Sequence, residues 1–392
     1  MNRMMLLRVF AGLLVTAMAV VAVEEEQWLQ YRWARDSRRI IRDMGREVLD
    51  MTEDKPAGVE LPELVGATPL FGFWRTPMVS AGRLWIAVDN SKKYGPYDRL
   101  YIDSDGDGDL KDETAAEPYR TDNNRSSFGP VKVILEGEDG PITYHLNFDV
   151  YTRRGGRQLY VTSGGWYDGT ITVGGAKKQC VIIDRNANGT FDDKSEHREQ
   201  SDRIRIGKDV KRDTRFVGNY VQVDGVLYEL EIARDGAYVK LSKADDVKYG
   251  KIVLPKTISE LAVGGENGLL YAELENGAAR LPAGKYVVDH WAIDREDKDG
   301  VKWTLKGQNY GTNSNAFEVA AGAVVSLSVG EPIISTLEVQ HKQNNYSFRQ
   351  NLTGQLGERI EILRRGRRAR APKLHVRNGD CKYDRKFNFE YG

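Results

Sequence analysis

The stretch YVQVDGVLYELEI, from Tyr220 to Ile232, joins two runs of β-branched and aromatic residues through the pair Asp224-Gly225. Runs of this composition favour strands. An Asx-Gly pair between them tolerates the positive φ angles of a tight type I′ turn. The stretch therefore predicts a β-hairpin.

The same pattern recurs along the chain. Further short runs typical of strands are RLWIAV, VKVIL, ITYHLNF, QLYVTS, TITV and QCVII. Further Asx-Gly pairs stand at 139–140, 235–236, 276–277, 299–300 and 378–379. No segment between the runs has enough helical periodicity for repeated βαβ crossovers. We therefore predict a mostly β fold, built as two or three antiparallel sandwich-like or barrel-like modules.

Length and charge set the outer bounds. The chain has 392 residues, which favours two to four domains. Its 57 basic and 57 acidic residues balance, so no overall charge points to nucleic acid or a membrane surface. Hydrophobic residues, at 40 %, suffice for packed cores.

The first 22 residues resemble a secretory signal peptide. Arg3 and Arg8 precede the apolar run from Val9 to Val21, which is short for a membrane span, and Val20 and Ala22 suit a cleavage site. The alternative is an uncleaved signal anchor. We predict a secreted, periplasmic or cell-surface protein without a stable membrane span after cleavage.

The remaining chain divides at changes in composition. Residues 23–61 are predicted as a short helix and linker, since Trp33, Ile40, Ile41, Met44 and Val48 recur at spacings near three to four. The predicted modules are a β region with two acidic loops at 62–248, a small sandwich at 249–334 and a C-terminal β module at 335–392.

The segment ARLPAGKYVV, from Ala279 to Val288, carries a weak resemblance. It is similar to transthyretin-like and carboxypeptidase-regulatory-like sandwiches. That resemblance covers about seventy residues and implies a spacer or binding module.

Two acidic loops repeat one pattern. The loop at Asp103 runs D-S-D-G-D-G-D-L-K-D, and the loop at Asp184 runs D-R-N-A-N-G-T-F-D-D. Both have Asp or Asn at positions one, three and five, Gly at six, Leu or Phe at eight and Asp at ten. Alternate side chains of such a coiled loop converge, and converging oxygens suit calcium, which takes six to eight of them. The candidate ligands are Asp103, Asp105, Asp107, Asp109, Asp112, Glu113, Asp184, Asn186, Asn188, Thr190, Asp193 and Glu196.

These loops resemble the EF-hand-like DxDxDG calcium loops, and they depart from them in two ways. Position twelve holds Thr114 or Ser195 where the EF-hand has a bidentate Glu. The residues entering each loop look like strands, so we predict strand-entered calcium loops. Asp112 and Asp193 are the first substitutes for the missing acid, and Glu113 and Glu196 are the next. The alternatives are a solvated acidic turn for the first loop and a turn that has lost its metal for the second.

The two loops and the β pattern of the whole chain together resemble those of secreted bacterial multi-domain β proteins with DxDxDG loops. This likeness implies calcium binding and no reaction. No GxSxG elbow, HExxH pair or Walker A loop occurs in the sequence, and we name no catalytic residue. The leading hypothesis is an exported calcium-binding structural or interaction protein. The alternative is a secreted hydrolase of polysaccharide or peptide that uses a carboxylate pair, with accessory β domains.

A basic stretch near the C-terminus offers a second binding surface. The arginines are Arg364, Arg365, Arg367, Arg368 and Arg370, grouped around Gly366. They suit a polyanion, and the alternative is a solvated hairpin tip. We expect a protein or polysaccharide partner at the cell surface and no nucleic acid. Cys180 and Cys381 could form one disulfide or remain two buried thiols.

Overall fold

The regular secondary structure of the described residues consists of β-strands. The computed structural model describes residues 25–35, 44–122, 124–151, 158–309, 316–343, 345–380 and 382–390, and these contain strands and turns but no helix. The strands up to residue 243 are β1 (Gln27–Trp28), β2 (Gln30–Trp33), β3 (Glu47–Asp50), β4 (Leu70–Arg75), β5 (Arg83–Asp89), β6 (Arg99–Ile102), β7 (Pro118–Asp122), β8 (Arg125–Gly137), β9 (Gly140–Tyr151), β10 (Gln158–Ser163), β11 (Gly165–Val173), β12 (Ala176–Ile183), β13 (Arg203–Ile206), β14 (Thr214–Phe216), β15 (Tyr220–Val223), β16 (Val226–Ile232) and β17 (Tyr238–Lys243).

The later strands follow in the same way. They are β18 (Tyr249–Val253), β19 (Glu260–Gly264), β20 (Leu270–Tyr271), β21 (Ala278–Pro282), β22 (Gly284–Glu296), β23 (Lys302–Gln308), β24 (Ala316–Val319), β25 (Val324–Ser326), β26 (Ile334–Lys342), β27 (Asn345–Thr353), β28 (Arg359–Arg364), β29 (Arg367–Arg368), β30 (Lys373–Arg377) and β31 (Asp384–Asn388).

The strands form several separate sheets. The earlier ones have the orders β1-β17-β16-β15, β3-β10-β9-β8-β7, β14-β13-β12-β11-β2 and β4-β5-β6. The later ones have the orders β21-β18-β25, β20-β19-β22-β23-β28-β27-β26 and β30-β31. Within the described ranges, pairing between these strands is antiparallel except between β18 and β25, and no sheet closes into a barrel. The predicted mostly β, antiparallel, sandwich-like fold is confirmed.

The hairpin that the sequence predicts between Tyr220 and Ile232 is present. β15 and β16 pair with Val223 opposite Val226. The two residues between them, Asp224 and Gly225, have φ angles of 50° and 80°. Both values are positive, as a type I′ turn requires. The six other predicted strand runs also lie in strands, namely β5, β8, β9, β10, β11 and β12.

The predicted N-terminal helix is wrong. β2 pairs with β11, and β3 pairs with β10. In β3 the side chains alternate, with Leu49 buried and Val48 44 % exposed, and Trp33 is 52 % exposed. Only a few residues fit the helical spacing. Pairing with β10 and β11 satisfies the hydrogen-bonding groups of the backbone and buries Leu49. These segments therefore form strands and not a helix. Ile40 and Ile41 lie outside the described residues.

Two large clusters of buried side chains form the cores. The first draws on residues 29–239 and includes Trp74, Tyr144 and Phe191. The second draws on residues 252–360 and is built around Trp291 and Tyr286. Its sheet runs across the predicted boundary at 334/335, because β28 pairs with β23.

Some sequence predictions fall outside the described ranges. The predicted signal peptide, residues 1–22, and Cys381 are among them. Cys180 is buried in the first core. The disulfide and the pair of buried thiols both stay predictions, because Cys381 lies outside the described residues. No helix in the described ranges is long and apolar enough to cross a membrane.

His145 should make stability depend on pH. Burial, with a smaller effect of Lys132, lowers the pKa of His145 to about 4, and its backbone N–H donates to the Tyr31 hydroxyl at 3.0 Å. As the pH falls below about 6.5 the unfolded chain takes up this proton first, so the folded state loses stability between about 6.5 and about 4. Urea unfolding across this range should show a steeper loss for the wild type than for His145→Gln. Parallel pH profiles would contradict the prediction.

Candidate metal centre

Both acidic loops begin directly after a strand. β6 ends at Ile102 and is followed by Asp103, and β12 ends at Ile183 and is followed by Asp184. Each carboxylate is nearly fully buried, with 2 % and 1 % exposure respectively. The predicted strand entry is therefore confirmed for both loops, and it presents each first carboxylate to the inside of its loop.

The first carboxylate of each loop organises the turn behind it. Asp103 accepts the N–H of Gly108 at 3.1 Å, and Asp184 accepts the N–H of Gly189 at 2.7 Å. These glycines have φ angles of 85° and 95°. A residue with a Cβ atom rarely adopts this backbone conformation, which explains why glycine occupies position six of both loops.

The residue at position eight anchors each loop in the interior. Leu110 is fully buried in a small cluster with Phe71, Ala87 and Tyr101. Phe191 is 1 % exposed and belongs to the first core. Both side chains therefore hold their loop against the interior.

Three carboxylates meet in the first loop. Asp103, Asp105 and Glu113 each offer an oxygen, and these oxygens lie within 4.8 Å of one another. Glu113 is held in place by the backbone N–H of Ser104 and by its hydroxyl, the latter at 3.1 Å. Burial is the main cause that raises the pKa of Asp103 and of Glu113. The group can hold a metal ion.

The other predicted acids of this loop lie outside that group. Asp107 accepts the N–H of Asp109 at 2.8 Å, and Asp109 accepts the N–H of Lys111 at 2.7 Å. Asp112, at position ten, is exposed. Among the described residues the third carboxylate of the group therefore comes from position eleven, Glu113.

In the second loop Asp193 gathers two asparagine side chains. Its Oδ2 accepts the Nδ2 of Asn186 at 2.9 Å and the Nδ2 of Asn188 at 2.7 Å. The Oδ1 of Asn188 accepts both the N–H and the hydroxyl of Thr190 at 2.8 Å. The Oδ1 of Asn186 is buried and finds no hydrogen-bond partner in the described structure. Glu196 lies apart, where it lines a small cleft beside Asp289.

Asp202 is a residue of this site that sequence reasoning missed. It is fully buried. Its Oδ1 accepts the N–H of Arg185 at 2.8 Å, and its Oδ2 accepts the N–H of Asp193 at 3.0 Å. It thus joins the start of the loop to its end. The only available signal is topological: β12 pairs with β13 through Ile183 and Arg203, which sets Asp184 and Asp202 side by side.

The second loop concentrates buried negative charge. Burial raises the pKa of Asp184 to about 7, although the Tyr144 hydroxyl donates to it at 2.7 Å. Burial, then the charges of Asp184 and Asp193, raises the pKa of Asp202 well above its ordinary value. Like charges in a buried site need a proton or a cation to balance them.

Two aromatic residues tie this loop to the first core. The indole N–H of Trp74 donates to the carbonyl of Ala187 at 2.6 Å. The ring of Trp74 stacks on that of Tyr144 with centroids 5.8 Å apart. Tyr144 in turn holds Asp184. A change in the conformation of the second loop should therefore alter the surroundings of the buried Trp74.

The predicted arginine cluster lies on one hairpin. β28 and β29 are joined by a turn at Arg365 and Gly366, whose φ angles are 52° and 73°. Arg364 stacks over the Trp303 ring at 5.5 Å, and Arg368 lies 3.6 Å from the Glu361 carboxylate. All five arginines are exposed, so the tip can meet a partner.

Comparison of the chain with family models, curated proteins and solved structures gives no match.

Proposed function

We propose that this chain is an exported calcium-binding protein with a structural or interaction role. The observation that carries the proposal is the convergence of Asp103, Asp105 and Glu113 at the end of a buried strand. Carboxylates are hard oxygen ligands of the kind calcium prefers. Magnesium fits less well because it demands strict octahedral geometry and retains its waters.

The second loop supports a second calcium ion. Asp184, Asn186, Asn188 and Asp193 would supply side-chain oxygens, and buried Asp202 joins the start of the loop to its end. The unpartnered Oδ1 of Asn186 is one oxygen that such an ion would satisfy. The ions would compensate like charges and hold each loop against its core, which suits a stable module that presents a surface to a partner.

Calorimetric titration of the purified chain with calcium tests this function. We expect about two ions per chain. The variant Asp105→Ala with Glu113→Gln should bind about one, because it removes two carboxylates but keeps the turn-forming Asp103. Asp193→Asn should weaken the other site. The matched surface control is Asp245→Asn, whose carboxylate contacts only Lys243 at 2.7 Å among the described contacts, and it should bind two. An absence of heat with the wild type would refute the proposal.

A further inference from the structure

A polar cleft lies beside the second loop. It encloses about 570 Å³, within the range of small-molecule sites. The loop supplies one wall through Asn186, Asn188 and Asp193, and the segment leading into β3 and the end of β4 supply the other. The residues proposed to hold calcium therefore also face this cleft.

The residues that line the cleft all have charged or polar side chains. Four cationic side chains line it, Arg46, Arg75, Arg185 and Lys194. Three acids line it as well, Glu47, Asp193 and Glu199. No aromatic or aliphatic residue is among those of the described chain that line it. This composition disfavours an apolar ligand and favours a hydrophilic, negatively charged one.

Two of the arginines are positioned by aromatic rings. The guanidinium of Arg46 lies 4.2 Å from the centroid of the Tyr160 ring, and that of Arg75 lies 4.9 Å from the centroid of the Phe73 ring. A stacked guanidinium keeps its N–H edge available, and that edge matches a carboxylate in a bidentate manner. Arg185 is engaged with Glu199, and one N–H of the Lys194 ammonium donates to Asn219 Oδ1 at 3.2 Å. Arg46, Arg75 and the remaining N–H groups of Lys194 are therefore the donors best placed to meet a ligand.

The balance of charge favours an anion once the loop holds calcium. The two positive charges of the ion would offset most of the negative charge of Asp184, Asp193 and Asp202, and the lining adds four cations against Glu47 and Glu199. Burial raises the pKa of Glu47 to about 7, so its negative charge is only partial near neutral pH. A cation at the wall of the cleft would add its own attraction for an anionic oxygen.

We propose that this cleft binds a carboxylate-bearing saccharide, with calcium in the second loop at its wall. The inference rests on the proposed function, since it places the ion beside the ligand. The carboxylate would meet Arg46, Arg75 and Lys194, and the side-chain amide of Gln200, which the proposed calcium site does not use, suits a hydroxyl group of a sugar. The same charge and polarity fit an inorganic oxyanion, and the test separates the two.

The test uses D-galacturonate, D-galactose and inorganic phosphate as probes. Each is titrated into the full chain in calcium and in chelator, with calorimetry and ligand-observed NMR. We expect galacturonate to bind in calcium and at least about tenfold more weakly in chelator. Galactose, which lacks the carboxylate, should bind at least about tenfold more weakly than galacturonate.

Variants locate the binding. Arg75→Gln and Lys194→Gln should each weaken galacturonate binding by at least about tenfold while calcium still binds. Arg212→Gln, a matched change of an arginine whose side chain is 81 % exposed, should leave binding unchanged. Equal binding by the Arg75→Gln variant would overturn the location.

The calcium titration without sugar separates this inference from the proposed function. If calcium binds and galacturonate does not, the cleft proposal fails alone. If phosphate binds and galacturonate does not, the saccharide assignment fails. If no calcium binds, the proposed function fails, and galacturonate binding equal in calcium and chelator would overturn the role of the ion.

Discussion

Transfer of the calcium-saturated chain into chelator is expected to lower its free energy of unfolding by about 5 kcal/mol. Each ion present at a hundredfold excess over its Kd contributes about 2.7 kcal/mol, and two independent loops contribute twice that. The structural reason is the charge that the loops bring together. Asp103, Asp105 and Glu113 converge in one loop, and buried Asp184 and Asp202 interact in the other.

Urea unfolding followed by tryptophan fluorescence measures this effect. Trp74 is fully buried and donates to the carbonyl of Ala187 in the second loop, so it reports on that loop directly. The variant Asp105→Ala with Glu113→Gln should retain only about half of the stabilisation by calcium, whereas Asp245→Asn should retain all of it. Magnesium in place of calcium should stabilise less. Superimposable curves with calcium and with chelator would rule out a stabilising ion.

Replacement of Asp202 by Ala is expected to destabilise the calcium-saturated protein by about 4 kcal/mol. Its two oxygens accept the N–H groups of Arg185 and Asp193, and the substitution removes this acceptor from two donors at partly buried positions. Each unsatisfied buried group costs about 1–3 kcal/mol. Calcium-saturated conditions matter because the ion already balances the repulsion between Asp184 and Asp202, which the substitution would otherwise relieve.

Two control variants show whether the loss of stability in Asp202→Ala comes from the loss of its acceptor oxygens. Asp202→Asn keeps one acceptor oxygen and should cost less than the alanine change. Asp245→Ala removes a surface carboxylate and should change the free energy of unfolding by no more than about 0.5 kcal/mol. In the Asp202→Ala variant, the affinity of the second loop for calcium should fall, and the affinity of the first loop should be unchanged. A loss of less than about 1 kcal/mol would show that Asp202 does not hold the loop together.

Local chemistry explains the sequence predictions that the structure confirms. The φ angles of Asp224 and Gly225 follow from which residues tolerate a type I′ turn. Glycine at 108 and 189 and the buried side chains of Leu110 and Phe191 follow from one loop pattern that occurs twice. These features depend on residues a few positions apart, so the sequence itself contains the information.

Contacts between distant segments explain what sequence reasoning missed. β2 and β3 are strands because β11 and β10 offer them open edges, over a hundred positions later in the chain. No spacing within residues 24–54 contains that information. Within the first loop, the sequence places Glu113 behind Asp112 as the substitute acid, and the hydrogen bonds from the N–H and the hydroxyl of Ser104 decide in favour of Glu113.

By itself, the sequence of this protein determined a β fold, the turns between strands and two loops rich in oxygen ligands, because turn geometry and loop coiling are local properties. Only the tertiary structure decided which acids meet. The pairing of β12 with β13 brings Asp202 beside Asp184, and the packing of the second loop near β3 and β4 creates a cleft with Arg46 and Arg75. The physical reason is that strand pairing and burial bring together segments that are far apart along the chain. Such contacts leave no periodic pattern in the sequence from which they could be predicted.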